Sequence, residues 1–512
     1  MSIGPESVEA VKMVDENDFG ISSPDERSDN EAMKSEGQVE ELRRVFSVWS
    51  LGALCLALMA TWEAVTSVVA AALTNGGAPC LFYNYFVGSI AIVCSLAEIA
   101  SIYPTAGGQY HWVAVLAPKN QRIVASWFTG WISIGGQIVF TSSAAFAAGL
   151  QLQAIITMNH PDTYIPQRWQ GMLFYWLVLV YAATVNIWGS RVLPHTNLAA
   201  GLIAFMAILG AMAPKHDAHY VFVEVSNTSG WENNGVSWLV GTLSAVYPFL
   251  GYDAACHMAE EMPHPSRNVP IAMVSSVIVN GIMGLGWTTM ILFSLGDLNE
   301  LLTSPTGFPF IQLFLNATKS SAGATVMVVV ISLTAVAANA AGLTSTSRTY
   351  WAFARDSAVP YSKYFVEVDT KLQVPVRAIM VVTVLEMLLG LIYLGNSTAF
   401  NAVLSMSVLG MYASYILPII YMLLNGRKNL ENGQYGPFQL GRIMGPITNL
   451  IAICWLVVAT VFSTLPSVEP VTPQNMNYST VVMAGWLLFG GVFFFGFGRR
   501  EYTGPSTEVI NK

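Results

Sequence analysis

"CLALMATWEAVTSVVAAAL", from Cys55 to Leu73, is of membrane-crossing length and almost wholly apolar or small, yet it carries Glu63 near its centre. A carboxylate at that depth costs about 2.5–3.5 kcal/mol on insertion scales, so it faces a cavity or a partner rather than lipid. A second stretch repeats the pattern. "WLVGTLSAVYPFLGYDAACHMAEEM", from Trp238 to Met262, sets Asp253 near the middle of an apolar run. There Pro248 removes a backbone donor and Gly251 weakens the helix. "YPFLGYD" therefore reads as an unwound segment, whose freed backbone groups must line a protein cavity. The first stretch has no such breaker; Thr61 can hydrogen-bond locally, and Glu63 demands a polar setting.

The rest of the chain supplies the frame for these two stretches. Apolar residues make up 54% of the 512 and charged residues 11%, against a usual charged share of about 25%. Long apolar runs recur from Phe46 to Phe497, so the fold class is an all-α polytopic membrane protein. The net charge of −8 belongs to one end. Residues 1–41 hold 12 acids and 3 bases, ending in "DERSDNEAMKSEGQVEE" (Asp25 to Glu41). The remainder is close to neutral. This acidic tail, residues 1–45, has too few large apolar residues to bury a core and is expected to be disordered. It lacks the basic start and apolar stretch of a signal peptide. Nothing in the composition points to nucleic acid. Of the five cysteines, all but Cys80 fall in expected helices, and their spacing fits neither a disulfide framework nor a metal site.

Twelve transmembrane helices are expected, at about 46–74, 82–112, 122–155, 170–190, 196–213, 236–262, 269–296, 322–350, 376–394, 398–424, 446–465 and 479–498. Residues 46–498 thus form one transport-sized domain, with a short C-terminal tail at 499–512. With both termini in the cytosol, Arg168, Lys215 and Lys319 are the basic residues left outside, out of 23. The four N-x-S/T sequons, Asn227, Asn316, Asn396 and Asn477, also fall in or beside outward loops, where glycosylation occurs.

Enzyme signatures are missing: there is no G-x-x-x-x-G-K-[ST], G-x-S-x-G or H-E-x-x-H. "HMAEEMPH" (His257 to His264) offers two histidines and two glutamates, but Pro263 disrupts metal-ligand spacing, and a helix end with solvated charges is the simpler reading. No catalytic residue, metal or cofactor is expected. The deep ionisable residues are Glu63, Asp253 and Glu386, with Glu98 and His257 nearer the ends. Glu386, in "VTVLEMLLG", has no break beside it and reads as structural. Spans one and six stand five apart, the spacing of an inverted five-plus-five repeat whose first helices are both broken at the midplane.

Four segments carry a family resemblance: "SLAEIASIYPTAGGQYHWVAVLAP" (Ser95 to Pro118), "GYDAACHMAEEMPHPSRNVPIAM" (Gly251 to Met273), "SRTYWAFARDSAVP" (Ser347 to Pro360) and "NMNYSTVV" (Asn475 to Val482). Together they resemble the amino acid–polyamine–organocation superfamily, and within it the fungal amino acid/choline transporter group, over about residues 44–500. The resemblance implies a leucine-transporter-type fold: repeat one at about 46–213, repeat two at about 236–424, and two further helices at about 446–498. It implies a plasma-membrane importer working by alternating access, with substrate between unwound parts of helices 1 and 6. Those parts correspond to about Met59–Thr66 and Tyr247–Ala254, which makes Thr61, Trp62, Glu63, Phe249, Tyr252 and Asp253 the substrate-binding candidates. Glu98 and Arg348 become candidates for the cytosolic gate. Thr344 and Ser345 could offer oxygens to an ion, although such hydroxyls mostly satisfy themselves locally.

The departures from the family pattern bear on substrate. Many relatives have a glycine-rich segment in helix 1 that holds a substrate carboxylate; here the matching residues are "ATWEA" (Ala60 to Ala64). An ionised Glu63 repels a carboxylate and attracts an amine or quaternary ammonium. Trp62, Phe249 and Tyr252 could add cation–π attraction of about 0.5–2 kcal/mol per well-placed ring. Helix 5 has no lysine of the kind thought to replace a sodium ion. The leading expectation is a proton-coupled importer of choline, ethanolamine, 4-aminobutyrate or a polyamine. A permease for neutral or basic α-amino acids and a non-transporting nutrient receptor are the alternatives. The tail, through Lys12 and Lys34, could serve ubiquitin-dependent endocytic sorting.

Overall fold

The structure is a computed structural model that describes residues 47–85, 88–189, 199–395, 399–430, 434–473 and 475–505. The acidic tail with Lys12 and Lys34, the sequon at Asn396 and the last residues of the C-terminal tail lie outside the described residues.

Among the described residues the regular elements are helical, and nine helices are long and apolar enough to cross a membrane. In chain order the elements that matter here are α1 (Val48–Met59), α2 (Thr61–Tyr85), α3 (Ser89–Ile102), α4 (Gln109–Leu116) and α5 (Arg122–Asn159). They continue with α6 (Arg168–Trp188), α7 (Ala199–Met212), α8 (Asn234–Gly241), α9 (Ala254–His257) and α10 (Pro265–Phe293). The last are α11 (Ser321–Arg355), α12 (Val376–Gly390), α13 (Ala399–Tyr421), α14 (Met444–Ser463) and α15 (Ser479–Phe493). The long central helices α5 and α11 are buried along most of their length, whereas α14 and α15 present Leu450, Val457, Leu488 and Val492 outward. That gradient is what a bundle in lipid requires: polar and small residues inside, large apolar ones on the rim.

The first span is interrupted, but by a different device from an unwound stretch. Ala60 alone leaves the helix, at φ 37° and ψ 46°, and Thr61 starts a new one. The expected unwinding over Met59–Thr66 thus reduces to one residue, and Thr61, Trp62 and Glu63 form the first turn of α2. A left-handed alanine costs about 1–2 kcal/mol, so tertiary contacts must hold it. The α2 helix itself kinks at Gly76–Gly77, where Gly77 has φ 72°. The second expected span, 82–112, is likewise not continuous: α3 stops at Ile102, and Tyr103–Gly108, with Pro104 and Gly108 at φ 53°, leads into α4.

The sixth span behaves as its sequence predicts. After α8 and a turn at Leu243–Val246, a 3-10 turn covers Tyr247–Phe249, Leu250 is extended, and helix resumes only at α9. Gly251 sits at φ 96°, and a Cβ there would stand 2.8 Å from the Phe140 ring and 3.0 Å from Leu58.

Helices α5 and α13 cross at two glycines. A Cβ on Gly136 would stand 2.6 Å from the Gly410 carbonyl carbon, so the two backbones touch, as small residues allow in membranes. Gly136→Val should cost about 1–3 kcal/mol or more by overpacking. It is expected to abolish the monodisperse peak of the detergent-solubilised protein in size-exclusion chromatography.

Candidate functional site

Contacts between chain segments define the two ends of the bundle. At one end Arg348, Arg355 and Arg427 gather. Arg348 Nε donates to Glu261 Oε1 at 2.9 Å, Arg355 grips both oxygens of Glu260 at 2.9 Å, and Arg427 pairs with Glu98. At the other end Asn75 donates to the Ser467 carbonyl at 3.1 Å, and the Thr228 N–H to the Thr74 carbonyl at 2.9 Å. The two breaks lie between these ends and touch. Thr61 Oγ1 donates to the Pro248 carbonyl at 3.0 Å, and the Thr61 N–H points at Asn280 Oδ1 of α10 at 3.5 Å. The carbonyl freed by the broken sixth span is thus satisfied from the start of α2, which also anchors the Ala60 turn.

Because α2 runs from its break toward the Asn75 end and α9 runs from its break toward the arginine end, the two carboxylates stand on opposite sides. Glu63 is 4% exposed and accepts a hydrogen bond from Ser67 Oγ at 2.6 Å, one turn along α2. Gln151 Nε2 of α5 donates to Ser67 at 2.8 Å, and Ser332 of α11 donates to Gln151 Oε1 at 2.9 Å. Tyr247 lies within electrostatic reach of Glu63, with its hydroxyl 2.6 Å from Ser143 Oγ. A cavity of about 360 Å³ opens on the Asn75 side and reaches down to Ser67, with Gln153, Arg168, Thr306 and Phe308 among its walls.

Asp253 belongs to a second network. Its Oδ1 accepts from Tyr415 of α13 at 2.8 Å and its Oδ2 from Gln109 Nε2 at 2.8 Å. His257, one turn on, lies with Nε2 3.4 Å from Asp253 Oδ2 and 2.7 Å from Gln137 Nε2 of α5. Its Nδ1 is 2.9 Å from the Ala106 carbonyl.

The three aromatic candidates separate. Trp62 packs edge-on against Trp287 at 5.8 Å and Phe205 at 6.1 Å, Phe249 against Tyr85 at 5.0 Å, and Tyr252 beside Tyr415 at 5.5 Å. They do not form one aromatic box around Glu63. The Tyr252 hydroxyl is buried without a hydrogen-bond partner, as is Asn280 Nδ2.

The gate candidates do not meet each other. Arg348 takes Glu261, while Glu98 takes Arg427 and the Leu440 N–H, the latter at 2.8 Å. Thr344 donates its one hydroxyl proton toward Asn186 Oδ1 at 2.7 Å and the Ala340 carbonyl at 3.0 Å, so it is engaged locally beside Ser345. Glu386 is fully buried and neither Oε has a hydrogen-bond partner, so it shares in neither network. The sequon amides at Asn227, Asn316 and Asn477 each donate within the fold, to Trp231 and Asn234, to Glu300, and to Ser463 and Leu465. Sequence reasoning missed Ser67, Gln151, Gln109, Gln137 and Tyr415 as partners. Polar glutamines in α5 were the signal available for two of them.

The comparisons agree with this architecture. The pattern of the amino acid permease family matches residues 46–488. The chain is 30% identical to a choline transporter of Saccharomyces cerevisiae, covering 93% of this chain and 85% of that protein. It is 32% identical to an uncharacterized amino-acid permease of Schizosaccharomyces pombe, covering 96% and 92%. A GABA-specific permease of Saccharomyces cerevisiae is 27% identical, covering 94% and 86%. These relatives are membrane permeases rather than enzymes, and the chain belongs to the amino acid permease family of the amino acid–polyamine–organocation superfamily.

Proposed function

We propose that this permease imports a small amine-bearing nitrogen compound, of the choline, ethanolamine, 4-aminobutyrate or polyamine class, by proton-coupled alternating access. The observation that carries the reading is Glu63: a carboxylate on the first turn after the helix-1 break, joined through Ser67 to a cavity open on one side. A buried anion at that place suits a positive substrate end. Thr61, Tyr247 and the unpartnered Tyr252 hydroxyl and Asn280 amide supply further polar atoms around the breaks. The names of the relatives, choline transporter and GABA-specific permease, support the substrate class.

In this reading the fold has twelve crossings in a five-plus-five inverted repeat plus two: the nine long helices, with Val48–Tyr85 counted as the first, then α3 together with the residues after the Gly76–Gly77 kink as the second, the short α7, and the broken sixth span. Both termini and the arginine end face the cytosol, and the protein works in the plasma membrane. The ion pairs of Arg348 and Glu98 close the cytosolic side. Glycans on the outward sequons and ubiquitin-dependent sorting through the acidic tail belong to the same reading.

A permease for neutral or basic α-amino acids is the second reading. It is favoured by the weakly engaged Thr61 N–H at the start of α2, a place suited to a carboxylate. Competitive uptake decides. In cells lacking endogenous permeases, labelled choline, 4-aminobutyrate, putrescine and α-amino acids are compared, with choline or 4-aminobutyrate expected to enter and to be displaced by other amines. Entry of α-amino acids with no competition by choline rejects the cationic substrate. No entry of any of them at normal surface expression turns the reading to a receptor.

A further inference from the structure

His257 occupies a position that the substrate site does not explain. It is 1% exposed, and its ring nitrogens meet the Tyr103–Gly108 segment, α5 and the carboxylate at the sixth-span break. Its Nδ1 faces the Ala106 carbonyl, an acceptor only, so Nδ1 carries the proton. Its Nε2 faces the Gln137 amide at 2.7 Å. The amide is partnered by Thr349 of α11, whose one hydroxyl proton lies between Gln137 Oε1 at 2.8 Å and the Ser345 carbonyl at 3.1 Å. With the Thr349 proton on Gln137 Oε1 the amide N–H faces Nε2, which accepts, and the imidazole is neutral. Asp253 Oδ2 stands 3.4 Å from the same Nε2 and already accepts from Gln109, while Oδ1 accepts from Tyr415.

The pocket is built around the ring. Gly108 has φ 53°, and a Cβ there would stand 2.6 Å from His257 Cε1 and 3.3 Å from Cys256 Sγ. The "TAGGQ" segment is thus folded back to hold an imidazole, supplying a carbonyl from Ala106, space from Gly108 and an amide from Gln109. Other titratable groups near the ring and its carboxylate are Cys256 on the same helix, Cys55 of α1, and Tyr252 with Tyr415 of α13. From α5 and α11 the facing groups, Gln137 and Thr349, do not titrate, and Arg348 beside Thr349 is bound to Glu261.

We propose that His257 is the coupling-proton site, with Asp253 as its counter-ion, separate from the substrate carboxylate Glu63. A proton from the aqueous phase bonds to the Nε2 lone pair; Nδ1–H stays on Ala106. The new Nε2–H cannot face the Gln137 N–H, a donor against a donor, so the amide turns its Oε1 to Nε2, the Thr349 hydroxyl turns its proton to the Ser345 carbonyl and accepts from the amide, and Asp253 Oδ2 balances the new charge. Protonation thereby rewires the contact of α9 with α5 and α11 on the arginine side, the side that import must open. This rests on the proton-coupled reading above.

The test uses the purified full chain in liposomes, with the membrane potential clamped at zero and radiolabelled choline, with 4-aminobutyrate in parallel. Per coupled proton, a one-unit pH gradient supports about tenfold accumulation. The wild type should reach that ratio. His257→Gln should retain exchange of labelled for unlabelled substrate at equal pH, while accumulation falls to about one and the pH profile of uptake flattens. Wild-type accumulation by His257→Gln overturns the proposal and leaves the proton-coupled reading standing. A wild type that exchanges but ignores the gradient overturns both. Should His257→Gln fail to exchange, Gln137→Leu decides. It removes the competitor for Nε2 without touching the ring, so the pH profile should move to more alkaline values; an unmoved profile overturns the proposal.

Discussion

Glu63→Gln is expected to lower choline uptake by about 10- to 100-fold at unchanged surface level, the loss that corresponds to one charge-assisted contact of about 1.5–3 kcal/mol. The substitution is nearly isosteric. Ser67 Oγ now donates to Glu63 Oε1 at 2.6 Å, and it can donate equally to an amide oxygen, so the chain through Gln151 to Ser332 is kept. What is lost is the charge, in a buried place where water cannot replace it. Initial rates in permease-deficient cells, normalised to surface-labelled protein, measure the effect. Uptake unchanged by the substitution removes Glu63 from the substrate site. Loss of the protein from the surface makes it a structural carboxylate. A relative gain for substrates with a free carboxylate is the expected companion, since the repulsion that disfavours them has gone.

What the sequence made legible was the set of costly residues, because cost in a membrane is local. Pro248 and Gly251 announce their break by removing a donor and a side chain, and the structure unwinds there. Ala60 announces nothing: alanine is the best helix former, and its left-handed turn is held by contacts distant in sequence, among them the bond from Thr61 to the Pro248 carbonyl 187 residues away. The direction of a side chain is equally non-local. Trp62 stands beside Glu63 in sequence, yet its ring joins Phe205 and Trp287, whose indole N–H donates to Thr66 Oγ1 at 2.6 Å. The partners of charges follow the same rule. Glu98 and Arg348 stood out in the sequence as gate candidates by their segments, but their separate partners, Arg427 and Glu261, depend on which helix ends the fold brings together. Asp253 could be seen from sequence; that it is wired to Gln109 and Tyr415, while Glu63 is wired to Gln151, could not.

Removing the Arg348 charge alone should be worse than removing the whole ion pair. Arg348 and Glu261 are 3% and 5% exposed and meet at 2.9 Å. Each charge is desolvated and relies on the other. Arg348→Met leaves Glu261 buried and unpaired, and Glu261→Met does the same to Arg348, each costing about 3–5 kcal/mol. The double variant strands neither charge, and apolar replacements of similar volume are often neutral or better, so its stability should return close to the wild type. The readout is the thermal unfolding midpoint of the detergent-solubilised chain, followed by fluorescence for all four forms. Additive losses in the double variant would mean that the two charges are not coupled, and no loss in either single variant would mean that they are not buried together. Transport separates stability from gating. With the arginine end cytosolic, as proposed above, import requires that end to open, and the pair ties α11 to the segment that follows α9 across it. The double variant, folded but untied, should therefore leak preloaded substrate faster than the wild type. A double variant that is stable and retains its substrate as tightly as the wild type would leave the pair a structural role and pass the closure of that end to Glu98 with Arg427 and Glu260 with Arg355.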